Sequence, residues 1–147
     1  MSSFEREKGT YRISTDPRRI DLVAVHEYLT QSYWAEGIPK DILMKAIASS
    51  LCFGLFDGDR QIGFARVVTD RATFAYLGDV YVLEEYRGRG LGKWLIEELL
   101  THPDLQGLRR FVLLTRDAHG LYEQFGFRPL LNAGLYMEIV HTDVYKR

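Results

Sequence analysis

The sequence predicts a mixed α/β fold in which one central, mostly antiparallel sheet carries helices on both faces. Three β-rich segments follow one another with short turns between them, which is typical of an antiparallel meander. The last of them leads into a glycine-rich turn and an amphipathic helix. A further apolar segment, residues 109–114, follows that helix and is predicted to lie parallel to the strand before it, as in a β-α-β unit.

Length and composition restrict the class of protein. A chain of 147 residues suits one domain over residues 1–147, and its 46% hydrophobic and 27% charged residues are ordinary for a globular protein. The net charge of −1 argues against a general nucleic-acid or membrane-surface binder. Cys52 is the only cysteine, the histidines lack metal-ligand spacing, and the N-terminus does not resemble a signal peptide. We therefore expect a cytoplasmic protein without a metal site.

Residues 1–50 are predicted to contain one strand and two helices. Residues 1–9 are polar and charged, and we expect them to form a flexible tail. Asp16 and Pro17 have the residue types of an N-cap and a first helical position. The predicted elements are a first strand over 11–15, a helix from Asp16 to about Leu29, and a helix over 42–49.

Residues 51–147 are predicted to start with the meander and to end with two further strands. An Asp-Gly pair at 57–58 supplies the positive φ of a hairpin turn, and Gly126 has the residue type of a helix C-cap. The predicted elements are second to fourth strands over 51–56, 61–69 and 73–83, a helix from Leu91 to about Thr101, a fifth strand over 109–114, a helix over 117–124, and closing strands over 127–131 and 135–141.

The glycine-rich turn between the fourth strand and its helix has the features of an anion site. The first N–H groups of a helix lack intrahelical partners, and the helix dipole favours negative charge there. Glycines allow close approach to the backbone, and arginines add charged donors. The spacing fits neither a Walker loop nor a dinucleotide fingerprint. We predict a pyrophosphate-binding loop made of Arg87, Gly88, Arg89, Gly90, Leu91, Gly92 and Lys93.

Two motifs in this chain resemble those of one enzyme family. Residues 87–92 fit R-x-x-G-x-G after a V-L-E-E-Y segment, which is similar to the acetyl-CoA signature of the GNAT N-acetyltransferase superfamily. Residues 118–127 resemble the A-x-x-h-Y-x-x-x-G-F segment that follows the fifth strand in the same family. The order of elements matches over nearly the whole chain. The resemblance implies that the fourth and fifth strands splay apart and that the pantetheine arm of acetyl-CoA, the co-substrate, lies between them.

The resemblance also implies a reaction, the direct attack of an amine on acetyl-CoA in a ternary complex. The tyrosine of the second motif, which protonates the leaving thiolate in the family, falls on Tyr122. Backbone contacts to the oxyanion and to pantetheine fall near Val82, beside Tyr81. Relatives often have Asn where this chain has Thr115, whose hydroxyl can also form a hydrogen bond with pantetheine.

The general base is less well defined by the pattern. Asp79 is the only carboxylate within the fourth predicted strand, where it could accept the amine proton, bind a cationic acceptor or form a structural bond. Tyr76 is the second candidate for the general base, and it is also a candidate for contact with the acceptor. Strict period-two alternation puts Tyr76 and Asp79 on opposite faces of the strand.

An aromatic loop between the first two helices is a candidate acceptor site. Tyr33 and Trp34 stand near Gly37 and Pro39, which is unusual for a plain connector. These aromatics could form a substrate-facing lip, since pockets favour aromatic walls. Alternatively, Trp34 could fill the core beneath the loop.

The sequence therefore predicts an N-acetyltransferase that acts on a small primary amine. An acetyl-CoA-binding regulatory module without turnover and a protein or peptide N-acetyltransferase are the alternatives. The sequence does not indicate which amine is the acceptor. A monomer or a homodimer is expected, since an exposed closing strand could pair between two chains.

Overall fold

The computed structural model describes residues 3–146, which form a six-stranded sheet whose strand order follows the sequence. The first five strands pair antiparallel, and the sixth pairs parallel to the fifth. The predicted mixed, mostly antiparallel sheet is thus confirmed. The strands are β1 (Glu5–Lys8), β2 (Tyr11–Ser14), β3 (Leu51–Asp57), β4 (Arg60–Thr69), β5 (Phe74–Val82) and β6 (Arg110–Leu113).

Helices cover both faces of the sheet, as predicted. Neighbouring residues of β3 point to opposite faces, and Cys52 and Phe53 belong to two different core clusters. One cluster joins the sheet to α1 and α2, and the other joins it to α3 and α4. No helix within residues 3–146 is long and apolar enough to cross a membrane. The helices are α1 (Leu22–Leu29), α2 (Lys40–Ala48), α3 (Leu91–Leu99) and α4 (His119–Glu123).

The N-terminal segment differs from the prediction of a flexible tail over residues 1–9. Within it, Glu5–Lys8 form β1 and pair with β2, while Met1 and Ser2 lie outside the described residues. The ring of Phe4 packs against Phe53 at a centroid distance of 5.9 Å. The prediction failed because the charged side chains of an exposed edge strand have the same composition as a solvated tail.

The predicted helix from Asp16 is divided into two elements. Asp16 caps only a 3-10 turn, Pro17–Arg19, and its Oδ1 accepts a hydrogen bond from the backbone N–H of Arg18 at 3.0 Å. A second aspartate, Asp21, caps α1 by accepting from the N–H of Ala24 at 3.1 Å. The helix therefore begins after the second of two suitable caps.

A bulge in β5 reorders the side chains of that strand. The register with β4 shifts between Phe64 and Arg66, and Asp79 opposite this shift has a φ of 53°. Leu77 and Val80 consequently contact the same core cluster although they are three residues apart. The prediction that Tyr76 and Asp79 lie on opposite faces was wrong, because strict alternation does not survive an inserted residue.

The fourth and fifth predicted strands, now β5 and β6, splay apart as the resemblance implied. Their parallel pairing runs from Phe74 opposite Arg110 to Leu77 opposite Leu113. From Gly78 onward this edge of β5 has no strand partner among residues 3–146. The two strands therefore border a cleft that opens toward their carboxyl ends.

The chain after α4 does not form the predicted closing strands over 127–131 and 135–141. A 3-10 turn, Ala133–Leu135, is the one regular element between residues 127 and 146. Side chains with strand-like apolarity remain in solvent, including Leu131 at 84%, Met137 at 96% and Ile139 at 90% exposure. The sequence pattern was that of strands, but the chain itself supplies no partner for them.

Candidate functional site

The cleft between β5 and β6 has a volume of about 650 Å³ and is lined by residues from several separate parts of the chain. The loop after α1, the bulge of β5, the turn after β6 and α4 all contribute to its walls. Six residues that the sequence analysis selected line it together, namely Tyr33, Trp34, Tyr76, Asp79, Thr115 and Tyr122. Of these six, Tyr33 and Tyr122 are the farthest apart along the chain, at 89 positions, and they share one cavity.

Tyr122 projects from α4 into this cleft. Its side chain is 8% exposed and packs edge-on against Phe127, with ring centroids 5.9 Å apart. Burial raises the pKa of the Tyr122 phenol, so its hydroxyl keeps the proton at neutral pH. Within residues 3–146 this hydroxyl forms no hydrogen bond. Every fully buried polar side-chain atom in that range does form one, so the hydroxyl oxygen is not fully buried. The hydroxyl is therefore available to a ligand.

Asp79 has both carboxylate oxygens engaged. Oδ1 accepts a hydrogen bond from Trp34 Nε1 at 2.8 Å, and Oδ2 accepts one from Arg66 Nε at 2.7 Å. Arg66 Nη1 also donates to Ser50 Oγ at 3.2 Å. Of the alternatives given for Asp79, this geometry matches the structural bond, and it fixes the indole of Trp34 against the sheet.

Sequence reasoning missed Arg66 as a member of the site. A signal was present, since Arg66 interrupts the apolar run of β4 between Ala65 and Val67. Its side chain is only 20% exposed, which is low for an arginine and is explained by the ion pair with Asp79.

Tyr33 and Trp34 form an exposed lip over the cleft. Trp34 is 40% exposed, so it does not fill the core beneath the loop. The two rings meet edge-on at 5.1 Å, and the Arg116 guanidinium lies 3.8 Å from the centroid of the Tyr33 ring. Tyr145, near the end of the chain, borders the same cleft. Arg116 and Tyr145 were not found from the sequence, because neither lies in a motif.

The glycine-rich loop ends at the start of α3 in a conformation that requires glycine. Gly88 and Gly90 have φ values of 79° and 75°, and no atom lies within 4 Å of a Cβ built on either. Gly90 is the N-cap and provides no side-chain bond to the helix. The N–H groups of the first turn, at Leu91, Gly92 and Lys93, are open in the sense that they form no hydrogen bond within residues 3–146.

The two arginines of this loop hold it in place through hydrogen bonds to neighbouring residues. Arg87 donates from Nε to the carbonyl oxygen of Val82 at 3.0 Å and from Nη2 to Tyr28 Oη at 2.9 Å. Arg89 donates from Nη1 to Tyr11 Oη at 3.1 Å. The guanidinium groups thus hold the loop in shape while adding positive charge beside the open N–H groups.

The remaining predicted contact residues join the loop to the cleft. The ring of Tyr81 stacks on Tyr28 at 3.9 Å in the α1 and α2 cluster, so only its backbone can border a ligand. A Cβ on Gly92 would lie 3.7 Å from Val82 Cγ2, which places the start of α3 against the end of β5. Thr115 Oγ1 accepts from the N–H of Ala118 at 3.0 Å and lines the cleft.

Comparison with known proteins decides which family this arrangement belongs to. A model of the acetyltransferase (GNAT) family matches residues 22–127. The chain belongs to the GNAT family. A crystal structure of a GNAT protein from Xanthomonas campestris pv. campestris, a candidate acetyltransferase, is 50% identical to it with a TM-score of 0.91, over 93% of this chain and 97% of that one.

Two curated relatives extend the GNAT assignment. A candidate acetyltransferase from Gibberella zeae is 36% identical over 138 residues, covering 78% of this chain and 77% of the relative. GCN5-related N-acetyltransferase 2, a chloroplastic protein of Arabidopsis thaliana, is 38% identical over 89 residues, covering 57% of this chain and 33% of that protein. The acetyltransferase activity of the family is therefore supported for this GNAT member.

Cys52, the single thiol, is expected to be inert in the folded GNAT domain. It is 7% exposed, and burial raises its pKa to about 12, so almost no thiolate forms at pH 8. We expect no reaction with an aromatic disulfide reagent at pH 8, and one equivalent of reaction after unfolding in guanidinium chloride. Rapid labelling of the native protein would contradict this burial and would make a covalent acetyl-cysteine step conceivable.

Proposed function

We propose that this GNAT protein transfers the acetyl group of acetyl-CoA to the primary amine of a small molecule. The observation that carries the proposal is the unpaired hydroxyl of Tyr122, which faces the cleft between the splayed strands β5 and β6. The N-acetyltransferase name of the Arabidopsis relative supports nitrogen as the acceptor atom.

The residues present suit acetyl-CoA. The open N–H groups at 91–93 and the positive-φ glycines at 88 and 90 form a cradle that a pyrophosphate would occupy. The cradle abuts the carboxyl end of β5, and the unpaired edge of β5 from Gly78 to Val82 offers backbone groups to an extended pantetheine arm. A ligand that spans both features would bring its thioester to Tyr122.

The chemistry follows from these positions. The neutral amine attacks the thioester carbonyl carbon, a C–N bond forms, and the tetrahedral oxyanion then collapses with loss of the thiolate. A backbone N–H near Val82 would stabilise the oxyanion. Tyr122 would give its proton to the departing sulfur, and the proton released by the amine would return the phenol to its starting state, directly or through water. Direct transfer of the acetyl group to the amine, without an acetyl-cysteine intermediate, agrees with the burial of the Cys52 thiol.

The lip favours a small acceptor. A cleft of about 650 Å³ is within the usual range for small-molecule sites, and part of it would hold pantetheine. Trp34 is bonded to β5 through Asp79, and Tyr33 lies under Arg116, so both aromatics are held across the mouth. A peptide acceptor would have to displace them.

The proposal is tested by thiol release from acetyl-CoA with a panel of free amines and short peptides. We expect release with one class of free amine and a mass increase of one acetyl group on that amine. Release with peptides alone would replace the small-molecule acceptor by a protein acceptor. Acetyl-CoA binding without release across a broad panel would favour the alternative of a binding module.

Asp79→Asn is expected to raise the KM for the acceptor about tenfold with little change in kcat. The substitution removes the charge that holds Arg66 while keeping an oxygen for Trp34 Nε1, and one charge-assisted bond is worth about 1.5–3 kcal/mol. Steady-state kinetics with Trp34→Phe as a companion should give the same pattern, because it breaks the same link. A large fall in kcat with a changed pH profile would instead identify Asp79 as the general base.

A further inference from the structure

Four aromatic side chains besides Tyr122 line the cleft between β5 and β6. Tyr33 and Trp34 belong to the loop after α1, Tyr76 belongs to β5, and Tyr145 lies near the end of the chain. Tyr33 and Trp34 are 52% and 40% exposed, so part of each ring is free to contact a ligand. Aromatic rings offer large flat contact areas and attract other rings beyond the effect of burial alone. These walls of the cleft therefore suit a flat, apolar ligand group.

The ring of Tyr76 lies beside Gly78, two positions later in β5. A Cβ built on Gly78 would lie 3.1 Å from Cε1 and 3.7 Å from Cδ1 of this ring, so the glycine leaves room for the ring beside the strand. Burial raises the pKa of the Tyr76 phenol, which therefore keeps its proton at neutral pH. Tyr76 thus adds an uncharged aromatic side chain next to the bulge at Asp79.

Tyr145 is placed against the cleft by the loop that carries Trp34. Its side chain packs on the α1 and α2 cluster, and its carbonyl oxygen lies 3.7 Å from a Cβ built on Gly37. Gly37 belongs to the same loop as Trp34 and has a φ of 77°. The end of the chain therefore docks on this loop, and an aromatic ring from each borders the same cavity.

The charged side chains of the cleft offer no site for a second charge on the acceptor. Arg66 and Asp79 form an ion pair, and both oxygens of Asp79 already accept hydrogen bonds. The other two charged residues of the lining, Arg116 and Asp117, are adjacent in the turn after β6 and have opposite signs. A second charged group on the acceptor would be attracted by one of them and repelled by the other. The lining as a whole thus favours an acceptor whose body is uncharged.

We propose that the four aromatic side chains form a subsite for the acceptor, and that the acceptor is an arylalkylamine, a primary amine joined by a short alkyl chain to a flat aromatic ring. An arylalkylamine is one class of small primary amine, so this assignment rests on the proposed function. The aromatic subsite consists of Tyr33, Trp34, Tyr76 and Tyr145.

The two parts of such an acceptor match two parts of the cleft. The ring occupies the aromatic subsite, and the alkyl chain carries the amine to the thioester beside Tyr122, which lines the same cavity. The amine nitrogen bonds to the acetyl carbon and the C–S bond breaks. The proton that the nitrogen loses balances the proton that the thiolate gains. The amine is the only ionisable group of the acceptor and it reacts in its neutral form, which agrees with the balanced charges of the lining.

The first test compares amines that differ in one property, with thiol release from acetyl-CoA as the readout. Phenethylamine and cyclohexylethylamine have the same alkyl chain and nearly the same size, but only the first has a flat aromatic ring. We expect kcat/KM to be about tenfold higher for phenethylamine. Putrescine, which has a second ammonium group, and β-alanine, which has a carboxylate, should be poorer still. No preference for phenethylamine, or a preference for any of the other three amines, would overturn the proposal.

A second test removes one ring of the aromatic subsite. Tyr145→Leu keeps an apolar contact with the α1 and α2 cluster, and we expect the ratio of kcat/KM for phenethylamine to that for cyclohexylethylamine to fall towards one. Tyr76→Leu should act in the same way. Tyr136→Leu is the matched control, because Tyr136 is a 44% exposed tyrosine that does not line the cleft. A general loss of folding would lower both rates without changing their ratio, and a ratio that both cleft variants leave unchanged would overturn the aromatic subsite.

Binding separates the subsite from the reaction. Phenethylamine is titrated by calorimetry into the protein saturated with CoA, which has no acetyl group to transfer. We expect binding to the unmodified protein and about tenfold weaker binding to Tyr145→Leu. Binding of phenethylamine without acetylation of any free amine would support the subsite and contradict the proposed function. Failure of phenethylamine to bind would overturn the subsite, and acetylation of putrescine or β-alanine in that case would leave the proposed function standing.

Discussion

Tyr122→Phe is expected to lower acetyl transfer about 100-fold while leaving the affinity for acetyl-CoA unchanged. The substitution removes one hydroxyl from a side chain that is otherwise held by packing against Phe127. The hydroxyl has no partner within residues 3–146, so its loss leaves no group in the protein unsatisfied and should not lower stability. The effect should therefore fall on kcat.

Thiol release under saturating acetyl-CoA measures this effect, and calorimetric titration with CoA measures the affinity. Tyr86→Phe is a suitable control, since it removes a tyrosine hydroxyl that donates to Asp57 at 2.9 Å outside the cleft. We expect near-normal turnover for that variant. Equal turnover in Tyr122→Phe and the unmodified enzyme would remove Tyr122 from the mechanism. Water would then be the proton donor to the departing thiolate.

Gly90→Val is expected to weaken acetyl-CoA binding by at least 100-fold. Gly90 has a φ of 75°, which a β-branched residue adopts only with strain, and the loop would have to change shape. The space beside Gly90 contains no protein atom within 4 Å, so a new side chain would occupy the position expected for the pyrophosphate. Backbone strain in the loop and obstruction of the pyrophosphate position would both weaken acetyl-CoA binding.

A matched substitution separates these two causes from a general loss of folding. Gly107 also has a positive φ, 71°, with no atom within 4 Å of a built Cβ, but it lies in the turn before β6. Gly107→Val carries the same backbone strain outside the cradle. We expect a similar fall in melting temperature for both variants and normal CoA affinity for Gly107→Val alone. Similar CoA affinity in both would show that the loop does not bind the cofactor.

The parts of the fold that local chemistry determines could be predicted from the sequence. The loop at 87–93 could be located because alternating glycines precede an amphipathic helix there. The position of Tyr122 in its motif was equally informative. These features depend on backbone conformations that only certain residues adopt, so a single sequence was enough to locate them.

The parts that depend on distant partners could not be predicted in the same way. The bulge at Asp79 follows from the register of β5 against β4, and the salt bridge to Arg66 crosses two strands. β1 depends on pairing with β2 and on the packing of Phe4. Residues 135–141 failed as strands for the opposite reason: their pattern was right for a sheet, but pairing requires a neighbour that the chain does not place there.

The lip has a mechanical consequence. Trp34 is tied to β5 through Asp79, whereas its neighbour Tyr33 lies against Arg116, which follows β6. Two adjacent residues thus contact the two opposite sides of the cleft between β5 and β6. A ligand that moves β5 and β6 apart must disturb both contacts, so the width of the cleft and the shape of its rim cannot vary independently.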